Sequence, residues 1–249
     1  MNHSILARLA SLALLCCSFQ VIADTAESLS AVRSNIEKSL PDLTITSLAE
    51  TPVPGLFELV MDGQIYYVNE DGDYLLDGNL IELSTRTNLT ENRIGGIHMS
   101  LVEALGEENM LVYEPDEPSE RSITIFTDLS CPYCQKLHEE IDVLLDAGVR
   151  VRYLLFPRAG LDSQAHADLE SVWCADDSQK AMTVAKSGGK VESSTCNNPI
   201  ESHVTLAEQV GLRGTPLIYL DNGQRVSGYR EATILADMIN TSEKLNLTN

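Results

Sequence analysis

Two cysteines, Cys131 and Cys134, stand where an apolar-rich run, Ser122–Thr127, gives way to an amphipathic helical pattern. That placement limits what can surround them. The pair must lie beyond the end of a strand and on the first turn of a helix, which makes this part of the chain an α/β layer. Leu137, Ile141, Leu144 and Leu145 supply the apolar stripe of the helix, and Gly148 closes it. Cys131 falls at the N-cap or in the first turn, where unpaired backbone N–H groups and the helix dipole favour an anion. A thiolate held there has a depressed pKa and attacks disulfides at neutral pH. Pro132 suits the first helical turn because it has no N–H to leave unpaired. Cys134, one turn further in, is placed to resolve a mixed disulfide. Three other readings compete with redox catalysis. A structural disulfide would close a very small, strained and reducible loop. A zinc site completed by His138, or by Cys174 and Cys196, would have spacings that match no common zinc pattern. The third reading is an inert remnant.

A second signal is Gly214-Thr215-Pro216 at the start of the apolar run Leu217–Leu220. Proline is poorly tolerated inside a sheet, and alone this one reads as an ordinary loop proline. Beside a CxxC, a cis bond at Pro216 would bring the Thr215 backbone next to the reactive sulfurs, where it could pair with a substrate strand. Sequence does not fix that geometry.

Around these motifs the chain divides. In residues 1–23 Arg8 is the only charged side chain, an apolar run follows it, and Val21-Ile22-Ala23 ends the segment. This is the pattern of a cleaved secretory signal peptide, and the run is short for a membrane span. Export implies a compartment in which disulfides persist, with four cysteines left after cleavage. Residues 24–84 read as a helix, Ala26–Leu40, on a small antiparallel meander (Thr44–Leu48, Leu56–Met61, Ile65–Val68, Leu80–Leu83) whose turns are marked by Asp62-Gly63, Asp71-Gly72 and Asp77-Gly78. So small a unit has a marginal core, and a partner chain is expected to help. Residues 85–118 read as a helical linker. Ile94, Ile97, Leu101 and Leu105 recur at helical spacing, Gly95-Gly96 suits a hinge, and the acidic, proline-broken Glu114–Glu120 marks a boundary. Residues 119–249 alternate strand, helix, strand, helices, hairpin and helix: an α/β domain with a helical insertion.

Composition narrows the function classes. Seventeen Lys and Arg against thirty-seven Asp and Glu give a formal charge of −20, which argues against nucleic acid and anionic membrane surfaces as partners. At 43% hydrophobic residues the chain can bury a real core. No metal, nucleotide or flavin site is suggested, so no cofactor is expected. His98, His166 and His203 are isolated and read as packing or surface residues, and Trp173 as core packing beside Cys174.

The segments Phe126–His138 (FTDLSCPYCQKLH), Val151–Arg158 (VRYLLFPR), Trp173-Cys174 and Gly214–Pro216 resemble the thioredoxin-fold domain of the bacterial DsbC/DsbG family of periplasmic disulfide isomerases. Asn69–Gly78 and Asn88–Glu91 resemble that family's N-terminal dimerisation domain and linker, so the likeness covers essentially the whole exported chain. Gly160–Ser163 after Phe156–Arg158 favours the DsbC branch, whereas the inner dipeptide Pro132-Tyr133 is shared with DsbG-type proteins. The resemblance implies a cystatin-like dimerisation domain, helix on antiparallel sheet, joined by a helical linker to a thioredoxin-fold domain. It implies Cys131 as nucleophile, Cys134 as resolving cysteine, Thr215-Pro216 as the cis-proline element, and a structural disulfide between Cys174 and Cys196. It also implies a periplasmic homodimer that acts on misfolded disulfide-containing exported proteins and draws electrons from a membrane reductase of the DsbD type. Two other activities stay open: a DsbG-like sulfenic-acid reductase, and a holdase chaperone in which the thiols are secondary. Ile125 stands where thioredoxin itself carries a buried acid, and Asp128, nearer the site, reads as an exposed cap residue.

Overall fold

The computed structural model describes residues 29–61 and 63–242, so the expected signal segment lies outside the described residues. The chain forms two compact units that divide between Ile81 and Glu82.

In the first unit a helix, α1, covers residues 29–39. It packs on a four-stranded sheet made of β1 (Ile45–Glu50), β2 (Leu56–Met61), β3 (Gln64–Asn69) and β4 (Leu75–Leu76), in that order and antiparallel throughout. Phe57, Leu59 and Met61 alternate along β2 and meet Val32 and Ile36 of α1, spaced one helical turn apart. Asn69 shapes the turn after β3 by accepting the Asp73 and Tyr74 N–H groups on Oδ1. Within that turn Gly72 adopts φ +70°, and a Cβ there would come within 3.0 Å of the Val32 carbonyl, so the glycine sets how closely helix and turn approach. Tyr74, Leu75, Leu76 and Ile81 are exposed, apolar side chains that this small core does not cover.

A two-stranded ribbon, β5 (Ile81–Glu82) with β6 (Thr87–Asn88), leads into α2 (Leu89–Ala104). Asn88, which also fits a glycosylation acceptor pattern, is the N-cap, its side chain accepting from the Glu91 N–H. The second unit is a five-stranded sheet in the order β11-β10-β8-β9-β7. Its strands are β7 (Leu111–Tyr113), β8 (Ser122–Thr127), β9 (Arg150–Leu155), β10 (Leu217–Leu220) and β11 (Arg225–Ser227). Only β8 and β9 are parallel among the pairs. The helices are α3 (Pro132–Glu139), α4 (Ile141–Asp146), α5 (Gln164–Trp173), α6 (Ser178–Lys186), α7 (Ile200–Gln209) and α8 (Ala232–Thr241).

This sheet is buried on both faces, and the period of two sorts its side chains. Ile123, Ile125, Val151, Tyr153, Ile218 and Leu220 meet Leu137, Leu144, Leu169, Met182 and Leu235 from α3, α4, α5, α6 and α8. On the opposite face Phe126, Leu154, Leu217 and Tyr219 meet Met99 and Val102 of α2, Leu206 of α7 and its C-cap residue Val210. Much of the segment read as a linker therefore packs into the second unit: α2 closes one face of the sheet and β7 pairs with β9. Arg152, nearly buried, ties β9 to α2 through Glu103 at 2.8 Å, and Arg150 bonds Glu107 and Glu114 at 2.6 Å. The Gly95 hinge expectation is corrected by the same packing. A Cβ at Gly95 would fall 2.0 Å from the Gly223 carbonyl oxygen, so the residue is there to let α2 lie against the turn between β10 and β11.

Three buried imidazoles are neutral within this unit, each with a pKa lowered to about 4 and burial as the main cause. His98 meets the Tyr219 hydroxyl, and His138 lies between the Tyr153 and Thr183 hydroxyls. His203 is fixed in one tautomer: its Nδ1 accepts the Leu155 N–H at 3.0 Å while Nε2 faces the Asn109 carbonyl at 2.7 Å.

Two outcomes follow from the packing. Gly95→Ala should lower the urea midpoint with an unchanged slope, a loss of about 1–3 kcal/mol from overpacking that outweighs the roughly 1 kcal/mol gained in helix propensity. A raised midpoint would show that the close contact is dispensable. Because the unfolded imidazoles protonate first, near pH ~6.5, their contribution should be complete above that pH and be lost as pH falls towards about 4. His203→Gln should flatten the dependence of unfolding free energy on pH in that window, as read by denaturant titration.

Candidate active site

The site is built on the turn from β8 to α3, and a buried carboxylate shapes that turn. Asp128 is 0% exposed, which corrects the expectation of an exposed cap. Its Oδ1 accepts the Ser130 N–H at 2.7 Å and the Ser130 hydroxyl at 2.5 Å, and its Oδ2 accepts the Arg158 N–H at 2.8 Å. The ends of the two parallel strands are thereby joined, because Arg158 follows β9. The Arg158 guanidinium adds an ion pair at 3.7 Å. Cys131 emerges from this turn as the N-cap of α3, with φ −82° and ψ 115°, and Pro132 occupies N1. Beyond it, Gln135 donates its side-chain amide to the Leu129 carbonyl and secures the first turn.

Thr215 and Pro216 approach from the loop before β10, and the Thr215–Pro216 peptide is cis. The Cys131 thiol donates to the Thr215 carbonyl at 3.2 Å, although the two residues are 84 positions apart. The Thr215 hydroxyl is buried there with no hydrogen-bond partner. The Pro216 carbonyl is occupied by the Gly228 N–H, which holds this loop on β11.

Both cysteines are buried free thiols, yet their environments act in opposite directions. Burial pushes the Cys131 thiol up. The Thr215 hydroxyl, the Cys134 N–H and thiol and the Tyr133 N–H all favour the thiolate and outweigh it, and the net effect lies below the ordinary thiol value. For Cys134 burial prevails and the pKa is raised, despite the nearby Lys186 charge and the Asp128 N–H, which favour the thiolate. An acidic outer sulfur and a less acidic inner one suit a pair in which one thiolate attacks first and the other is held back.

The rim of the site is aromatic. Tyr133, 61% exposed, stacks on Tyr229 with ring centroids 6.3 Å apart, and Lys136 Nζ sits 4.4 Å from the centre of the same ring. Glu140 accepts the Tyr229 hydroxyl and the Ala232 N–H, tying the end of α3 to the start of α8. Sequence reasoning did not single out Lys186, which is buried beneath the site, or Tyr229. The Gly after Ser187 marks only the end of a helix, and nothing in the spacing brings either residue to the CxxC.

Cys174 and Cys196 are joined by a disulfide at the end of α5, well separated in role from the thiol pair. Neither they nor His138 gathers with the CxxC as metal ligands; no cluster of His, Cys, Asp or Glu suited to a metal occurs among the described residues. Within those residues no helix is long and apolar enough to cross a membrane.

The chain is similar to known proteins over both units. Residues 23–91 match the disulfide bond isomerase protein N-terminal domain, and residues 114–243 match the thioredoxin-like domain. The thiol:disulfide interchange protein DsbC of Salmonella typhimurium is 40% identical over 200 residues, spanning 78% of this chain and 81% of its own. The protein of the same name from Escherichia coli K12 is 33% identical over 215 residues, 84% of this chain and 88% of its own. The crystal structure of a disulfide interchange protein from Neisseria gonorrhoeae aligns with a TM-score of 0.50 at 28% identity, over 56% of this chain and 99% of that one. With a thiol pair on a helix N-terminus, a thioredoxin-like fold around it and relatives matched over both domains, the chain is a thiol–disulfide oxidoreductase that belongs to the DsbC family of thiol:disulfide interchange proteins.

Proposed function

We propose that the protein is a protein disulfide isomerase, exported to the periplasm by residues 1–23, which rearranges wrong disulfides in other exported proteins. The observation that carries this reading is the placement of two free thiols at one site: Cys131 at the N-cap of α3 with its sulfur on the Thr215 carbonyl, and Cys134 buried one turn further in. The Cys131 thiolate attacks a client disulfide and one client sulfur departs as a thiolate. A second client thiol then displaces Cys131 in a new pairing, or Cys134 attacks Cys131 and releases the client reduced. The Thr215 backbone, beside the attacking sulfur, pairs with the extended client segment. Each cycle starts from reduced thiols, so a membrane reductase of the DsbD type is the electron donor.

The homodimer is part of the same reading. The exposed Tyr74, Leu75 and Leu76 lie on or beside β4, at the edge of the first sheet, where strand pairing and apolar burial by a second copy are both available. Two thioredoxin-like units on one dimer retain a client through successive exchanges better than one.

Cys131→Ser should abolish isomerisation of scrambled ribonuclease, whereas Cys134→Ser should accumulate covalent client adducts visible on non-reducing gels. Alkylation of the reduced protein across pH should show Cys131 reacting below the free-thiol pKa of ~8.5, with Cys134 reacting later. Greater acidity at Cys134 would reverse the roles.

Since α2 and β7 belong to the second unit, a chain that starts at Glu82 keeps that core whole. It should sediment as a monomer, reduce small disulfides, and lose most isomerase activity relative to the full chain. Isomerisation by this shortened chain at the parent rate would remove the need for a dimer.

A further inference from the structure

Lys186, the last residue of α6, is 4% exposed and lies under the active site. A lysine is almost never buried so fully without a carboxylate in direct contact. Here the ammonium donates to two neutral oxygens, the Thr127 hydroxyl at 2.6 Å and the Asp128 carbonyl at 2.9 Å. An ammonium has three protons to donate, so two acceptors leave one N–H over. Asp128 also links this nitrogen to the thiol turn, because the same carbonyl accepts the Cys131 N–H at 3.3 Å. The lysine nitrogen is thus tied to the turn that carries both sulfurs, and Lys186 and Cys134 are each the other's foremost charge partner.

We propose that Lys186 is the proton acceptor for Cys134 in the resolving step. This deepens the reading above and rests on Cys134 being the resolving thiol. With Cys131 joined to a client sulfur, the neutral Lys186 amine takes the proton from Cys134. The Cys134 thiolate attacks the Cys131 sulfur; the Cys131–Cys134 bond forms as the Cys131–client bond breaks. The client sulfur leaves with the electron pair and takes up one proton, delivered from the Lys186 ammonium or from water. The enzyme's two thiols are oxidised to one disulfide and the client is reduced by the same two electrons.

The electrostatics fit the task. Burial lowers the Lys186 pKa to about 8, opposed by Cys134, Asp128 and Cys131 and aided by Arg158. Roughly one molecule in ten then holds the neutral amine at pH 7. Cys134 is raised by burial, so its proton does not leave unaided near neutral pH, and the partly neutral amine is a base within the same buried site that can take it. The other titratable groups around the pair are His138 on α3, which the Lys186 charge helps to keep neutral, and Tyr153 on β9, held un-ionised by burial. Cys131 ranks behind Cys134 and Asp128 among the groups that raise the Lys186 pKa, so the lysine bears more on the resolving step than on the attacking one.

The test follows both steps in the reduced full-length protein. It is mixed with oxidised glutathione across pH ~6 to 10, quenched with acid, and the mixed disulfide is located and timed by mass spectrometry. Lys186→Met should alter the rate and pH profile of adduct formation less than those of resolution. It should move the resolving profile up by about one pH unit and lengthen the adduct's life near pH 7 by about 3–10-fold. A tenfold smaller thiolate fraction would be partly offset by the greater nucleophilicity of a more basic thiolate. Lys186→Gln, which keeps polar contacts with Thr127 and Asp128 but has no titrating group, should give the same shift, and serves alone if the methionine variant does not fold. Resolving profiles that superimpose on the parent, or equal changes in both steps, would overturn the assignment. First adduct formation at Cys134 in the parent would instead strike at the cysteine roles.

Discussion

The active site depends on the carboxylate of Asp128. Placing an acid out of contact with water is costly unless donors replace its hydration, and here two backbone N–H groups and a serine hydroxyl do so. Those donors come from two segments, the start of α3 and the end of β9, so satisfying one side chain fixes the separation of two parallel strands at their C-terminal ends. The helix N-terminus that acidifies Cys131 is positioned by the same contacts. Sulfur chemistry here is a consequence of how a buried oxygen anion is kept hydrogen-bonded.

Parallel to that anchor runs the division of labour within the sheet. A strand buried on both sides carries apolar residues without interruption, and β8 is buried at all six positions. Such a strand can present a reactive turn only at its end, with helices packed against each face. The second face needs α2, a helix that precedes the thioredoxin-like strands in sequence. Its ion pairs from Glu103 to Arg152, and from nearby Glu107 to Arg150, fasten it over β9.

These dependencies explain what was legible in the sequence. Local signals carried the CxxC, its strand and helix, the first three strands of the meander and the Gly214–Pro216 loop, because each is written in contiguous residues with strong backbone preferences; the expected fourth strand, Leu80–Leu83, is corrected, since Leu75–Leu76 takes that place and Ile81–Glu82 pairs with β6. The fold class and family followed from their combination. The packing of α2 was not legible: its apolar stripe says that it buries a face, not which one, and the acidic Glu114–Glu120 stretch looks like a boundary although it is only a loop between β7 and β8. Three-residue β7 is too short to show a period. Asp128 and Lys186 were missed for a related reason. Burial of a charged residue is decided by partners far along the chain, 30 positions away for Arg158 and 59 between Lys186 and Thr127.

The meeting of Gly95 with the Gly223 carbonyl has a consequence for how this protein can change over time. A helix and a hairpin turn that touch through bare backbone leave no side chain to be trimmed or rotated in compensation. Position 95 is therefore not free to drift by single steps. Any larger residue there requires that the turn be rebuilt or the helix displaced, and displacement would uncover Phe126 and Tyr219 beneath it. Lineages that retain this sheet should keep the glycine or exchange helix and turn together, so that two segments 128 positions apart in the chain are inherited as one unit.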